Sequence, residues 1–69
     1  VWTDLPGIQF YAGNCIAPIN GKKGIRYDVR QALALETQYF PNSVNQAGFV
    51  SPVIDAGEKY DTKTEYRFV

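Results

Sequence analysis

The stretch Gln31-Ala32-Leu33-Ala34-Leu35-Glu36-Thr37-Gln38-Tyr39-Phe40 decides the fold. By composition it suits a helix, because Ala, Leu, Glu and Gln all favour one. It is short, however, and Pro41-Asn42 ends it, so the strand reading is preferred. As a strand it places Leu33, Leu35, Thr37 and Tyr39 on one side and Ala32, Ala34, Glu36 and Gln38 on the other. The small alanines beside Glu36 leave open volume that a ligand could use.

The segments on either side fit the same reading. Upstream, Leu5-Pro6-Gly7 is a turn signal. It is followed by the β-favouring run Ile8-Gln9-Phe10-Tyr11, closed by Gly13-Asn14. In that run Ile8 and Phe10 point one way, Gln9 and Tyr11 the other. Asn20 to Gly24 forms a second turn, after which Ile25, Tyr27 and Val29 alternate with Arg26, Asp28 and Arg30. Downstream, residues 41–52 lack periodicity, a loop of the length that tends to be functional in a compact domain. Asp55 to Glu58 makes a further turn. Tyr60, Thr62, Thr64, Tyr66 and Phe68 then alternate with Asp61, Lys63, Glu65 and Arg67, the clearest strand signal in the chain.

These elements make an all-β chain of mostly antiparallel strands, with residues 1–69 a single β-rich segment. Ten aromatic residues, made up of five Tyr, four Phe and one Trp, favour strands and argue against disorder. A chain this short buries only about 60% of the surface its unfolded form exposes. Three or four strands with long connections close neither a sandwich nor a barrel. Their edges and inner faces are expected to stay exposed, as in one portion of a larger β protein, and exposed edges favour self-association.

Composition excludes several functions. Seven basic residues balance seven acidic ones, with no basic patch of the kind that binds nucleic acid. No apolar run approaches the roughly 20 residues of a membrane-spanning helix. One cysteine, Cys15, allows no internal disulfide, and with no histidine and no cysteine pair at ligand spacing the sequence argues against a zinc site. A lone thiol suits a reducing compartment, which points to the cytoplasm.

Two residues stand out as site candidates. Glu36 lies among Ala and Leu, where a carboxylate facing a pocket can act as a general base. The competing reading is a solvated glutamate on an edge strand. Gln9 interrupts an apolar run, and its amide needs partners. A sugar hydroxyl is one answer and a backbone carbonyl the commoner one. Trp2, Phe10, Tyr11, Tyr39, Phe40 and Phe49 are aromatics that can stack on a sugar or a base, with core packing the expected role for most of them. Cys15, with no His or second Cys to partner it, reads as a packed or incidental thiol.

The residue strings themselves are more specific. Pro6-Gly7-Ile8-Gln9-Phe10-Tyr11-Ala12-Gly13-Asn14 resembles the PG-x-Q-x-Y-x-GN segment of the aldose 1-epimerase family. Leu35-Glu36-Thr37-Gln38 with Pro41-Asn42 and Asn45 resembles that family's LETQ-x-x-P-[DN]-x-x-N motif. Pro52-Val53-Ile54 with Gly57-Glu58 and Tyr60, and the closing Thr64 to Phe68, are similar to its last segments. The pieces occur in family order and cover almost the whole chain.

The resemblance implies a large β-sandwich, of which this chain would be the C-terminal quarter or so. It also implies interconversion of the α and β anomers of aldohexoses such as galactose and glucose, with no metal or organic cofactor. By that resemblance Glu36 is the general base and Gln9 contacts a sugar hydroxyl. The acid histidine, a second sugar-binding histidine and an aspartate would come from the remainder of the epimerase chain. The isolated 69 residues are therefore expected to be inactive. The position after Gln38, often histidine in the family, is Tyr39, which leaves sugar preference open. Asn42 stands where Asp is frequent, and both suit a turn. The alternative is a non-catalytic carbohydrate-binding or assembly module that completes a partner's β-sheet through its exposed edges.

Overall fold

A computed structural model describes all residues, 1–69. It contains six strands: β1 (Trp2–Thr3), β2 (Gly7–Tyr11), β3 (Ile19–Asn20), β4 (Arg26–Tyr27), β5 (Ala34–Gln38) and β6 (Thr64–Glu65). Two short 3-10 turns, Lys22–Gly24 and Ser43–Asn45, complete the regular structure. The strands form three two-stranded ribbons, β1 with β6, β2 with β5 and β3 with β4. All three are antiparallel, so the chain is all-β.

The central ribbon pairs Gly7 with Gln38, Ile8 with Thr37, Gln9 with Glu36, Phe10 with Leu35 and Tyr11 with Ala34. The helix-favouring composition around Glu36 thus yields to strand pairing with a β-favouring partner. The strand is shorter than residues 31–40. It extends only as far as β2, which ends where Gly13 turns the chain at φ 68°. Gly13 is buried, and its carbonyl accepts hydrogen bonds from the backbone N–H groups of Ile16 (3.4 Å) and Arg30 (3.1 Å). A Cβ there would lie 2.7 Å from the Ala32 carbonyl oxygen, so the turn and the approach to β5 both require glycine.

The last segment pairs less than its alternation suggests. Only Thr64–Glu65 joins a ladder, because its partner β1 has two residues. The chain bends away at Asp4, whose N–H donates to the Lys63 carbonyl at 3.3 Å while its Oδ1 accepts from the Lys63 N–H at 3.0 Å. The expected faces are nevertheless kept around this pairing. The Thr64 hydroxyl lies 2.7 Å from that of Thr37 and 3.3 Å from that of Thr3, and the Tyr66 hydroxyl donates to the Leu35 carbonyl at 2.7 Å. These bonds join the β1–β6 ribbon to the side of β5 away from Glu36. On the other face Glu65 pairs with Lys63 at 3.7 Å and with Arg67.

The turn expected at Asn20 to Gly24 proves to be the loop of a hairpin between β3 and β4. Lys23 (φ 58°) and Gly24 (φ 70°) are both left-handed there. The run of alternating residues after it pairs only through Arg26–Tyr27.

No hydrophobic residue is buried. The accessible surface is 5966 Å², against about 4,300 Å² for a folded monomer of this mass. The radius of gyration is 16.5 Å, where a compact domain of this length has about 11 Å. Phe10, Leu33, Ile8 and Val44 all stand half or more in solvent. The β2–β5 and β3–β4 ribbons each carry an apolar face, with Ile8, Phe10 and Leu35 on one and Ile19 and Tyr27 on the other, and Ile8, Phe10, Ile19 and Tyr27 remain in solvent.

Candidate functional site

Register brings the two candidate residues together. In an antiparallel ladder, directly opposed residues share a face, with Cβ atoms about 4.5–5.5 Å apart. Gln9 is opposite Glu36, so the carboxylate and the amide project side by side. The same face carries Gly7 and Gln38 at one end of the ladder and Tyr11 and Ala34 at the other. Twenty-six residues of sequence separate Gln9 from Glu36, and the β2–β5 ladder alone closes that distance.

Both candidates are exposed. The Gln9 Nε2 donates to the Phe10 carbonyl at 3.1 Å, the commoner of the two answers expected for that amide. Its Oε1 remains available as an acceptor. Glu36 makes no hydrogen bond or ion pair with the other side chains of the chain, and the carboxylate is open to an incoming hydroxyl.

The open volume expected beside Glu36 is not an enclosed one. The chain has two hollows. The first, about 410 Å³, is lined by Phe10, Ala12, Arg30, Gln31, Ala32 and Leu33. The second, about 290 Å³, lies between Ile16, Ile19, Tyr27, Asp28, Gln31 and Ala32. Neither includes Glu36 or Gln9. Phe10 and Leu35 face away from the Glu36 side, so the larger hollow belongs to the back of the ribbon. Nothing within the chain walls the front except its two ends.

One feature of the front was not evident from the sequence. A Cβ on Gly7 would lie 2.8 Å from Phe40 Cε1 and 2.9 Å from Phe40 Cδ1. The Phe40 ring therefore occupies the space that a side chain at position 7 would fill, on the Glu36 face. Phe49 meets that ring edge-on, with centroids 5.2 Å apart and planes inclined at 62°. Sequence reading assigned Gly7 to a turn. It is instead the first residue of β2, paired with Gln38, and the room it makes for an aromatic ring 33 residues later has no local signature.

The loop that carries these rings is organised by the remainder of the motif. Asn42 adopts a left-handed conformation at φ 59°, which Asn and Asp tolerate better than most residues. Its Oδ1 accepts from Asn45 Nδ2 at 2.6 Å. Ser43, between them, is buried. The P-[DN]-x-x-N pattern thus closes a turn and returns the chain toward Phe49.

The other candidates lie elsewhere. The Tyr11 hydroxyl accepts from the Cys15 N–H at 3.1 Å, and the Cys15 thiol is exposed, the incidental one of its two expected readings. The Trp2 ring lies under the Lys63 ammonium, 5.8 Å from it. No three His, Cys, Asp or Glu side chains converge as a metal-holding group.

Comparison with known proteins agrees with the motif reading. The family profile described as aldose 1-epimerase matches residues 1–67. The galactose mutarotase of Mus musculus is 42% identical over 69 residues, 99% of this chain and 20% of that protein. The galactose mutarotase of Homo sapiens is 41% identical over the same shares. The aldose 1-epimerase of Escherichia coli (strain K12) is 35% identical over 71 aligned positions, 100% of this chain and 20% of that protein. The chain thus spans about a fifth of the length of the curated relatives it matches. No solved structure matches it. With all but its last two residues inside one family profile, the chain belongs to the aldose 1-epimerase family.

Proposed function

We propose that this chain supplies the general base, Glu36, and a sugar-contacting amide, Gln9, to an aldose 1-epimerase acting on aldohexoses such as galactose and glucose. The observation that carries the reading is the pairing of Gln9 with Glu36 on one exposed strand face, inside the two family motifs. The names of the relatives give the reaction class.

The chemistry follows from the sugar. The Glu36 carboxylate takes the proton of the anomeric hydroxyl as the bond from C1 to the ring oxygen breaks. An acid donates a proton to that ring oxygen, giving the open-chain aldehyde. Rotation about C1–C2 presents the other face of the carbonyl. Reclosure runs the proton transfers in reverse and yields the other anomer. By the family resemblance the acid is a histidine, a residue type these 69 residues lack and the remainder of the epimerase chain would supply. Each positioned proton-transfer group is typically worth about 10²–10⁴-fold in rate, and a base without its acid loses most of the paired effect.

Polarimetry of α-D-galactose with the full-length gene product tests the proposal. Decay of optical rotation well above the buffer rate is expected. A rate equal to buffer from a folded protein would overturn it.

A further inference from the structure

Of the six aromatic residues able to stack on a sugar, the structure favours one for that role. Trp2 lies under Lys63, and Phe10 lines the hollow on the back of the ribbon. The Tyr11 hydroxyl is engaged by the Gly13 turn, through the Cys15 N–H. Tyr39, like Phe40, lies beyond β5, but its ring is not among the atoms that meet the Gln9–Glu36 face at Gly7. Phe49 braces Phe40. Phe40 alone has its ring against the strand position two residues before Gln9 on the Gln9–Glu36 face.

Its setting is that of a wall rather than a core residue. It meets Gly7 through one ring edge, Cδ1–Cε1, and the residue is 39% exposed. Phe49 holds it at a fixed inclination. Two strand residues span about 7 Å, so the ring stands roughly one such step from Gln9 along the row. Ligand sites combine apolar or aromatic walls with a few convergent polar groups. The Gln9 amide, the Glu36 carboxylate and the Phe40 ring make such a set.

Resting on the epimerase reading above, we propose that Phe40 is the aromatic wall of the aldohexose subsite. Its ring packs on the C–H face of the pyranose while Gln9 holds a hydroxyl and Glu36 reaches the anomeric one. A hexopyranose has C–H groups on its faces and hydroxyls around its rim, so a flat apolar ring complements the former and the amide the latter.

The test is steady-state mutarotation by the full-length protein carrying Phe40→Leu or Phe40→Tyr, with galactose and with glucose. Loss of the aromatic face in Phe40→Leu is expected to raise KM about 3- to 10-fold, more than any change in kcat, the range that aromatic packing supplies beyond area. Phe40→Tyr keeps the ring and is expected to restore KM. An unchanged KM in Phe40→Leu would overturn the proposal. So would a fall confined to kcat, or a Phe40→Tyr variant as impaired as Phe40→Leu, since Phe40 would then act only by packing on Gly7. A folded wild type without mutarotase activity would instead remove the epimerase reading, and this subsite with it.

Discussion

Gln9 and Glu36 stand directly opposite each other across the β2–β5 ladder, both open to solvent on the same face. An amide beside a carboxylate can bind one hydroxyl of a sugar while the carboxylate takes the proton of another. Gln9→Ala in the full-length protein removes the amide and leaves the base. KM for galactose is expected to rise about 2- to 10-fold, the net worth of a single hydrogen bond. An unchanged KM would separate Gln9 from the sugar.

The isolated 69-residue chain is expected to self-associate. It buries no hydrophobic side chain, and its two-stranded ribbons leave their outer edges unpaired within the chain. Its zero formal net charge sets up no repulsion between copies. Sedimentation velocity should show mass rising with concentration. A stable monomer over a wide concentration range would contradict this.

The Gly13 turn fixes where β2 ends and so the length of β5. Gly13→Ala places a Cβ 2.7 Å from a backbone oxygen at φ 68°. Gly24 has a similar φ, 70°, with open space around it. Gly24→Ala is expected to cost about 1–2 kcal/mol, the left-handed penalty alone. Gly13→Ala should cost more by the clash, about 1–3 kcal/mol further. Urea unfolding of the two full-length variants measures the difference, and equal midpoints would show that the Ala32 contact carries no strain.

Much of this was legible in the sequence. Short length and the Pro41-Asn42 stop pointed to a strand at β5 despite its helix-favouring composition, and strand alternation then placed Glu36 on the side opposite Leu35 and Thr37. What alternation could not supply was register. Gln9 meets Glu36 only because β2 and β5 pair with Gly7 against Gln38, a relation set by non-local packing. The strand expected from Tyr60 to Phe68 shrank to Thr64–Glu65 because pairing needs a partner of equal length, and β1 has two residues. The Phe40 ring over Gly7 was hidden for the same reason. A glycine next to proline reads as a turn, and nothing local shows which distant ring it admits. The family motifs gave the chemistry, since a lone glutamate on a strand face has no specific pattern of its own.

The central claim is that Glu36 is the base of an anomer-interconverting site, and Glu36→Gln tests it most directly. The substitution keeps the shape and removes the proton acceptor. Mutarotation of α-D-galactose by the full-length variant, followed by polarimetry with folding checked by circular dichroism, should be about 10²–10⁴-fold slower than wild type. Turnover near the wild-type rate from a folded Glu36→Gln protein would contradict the claim.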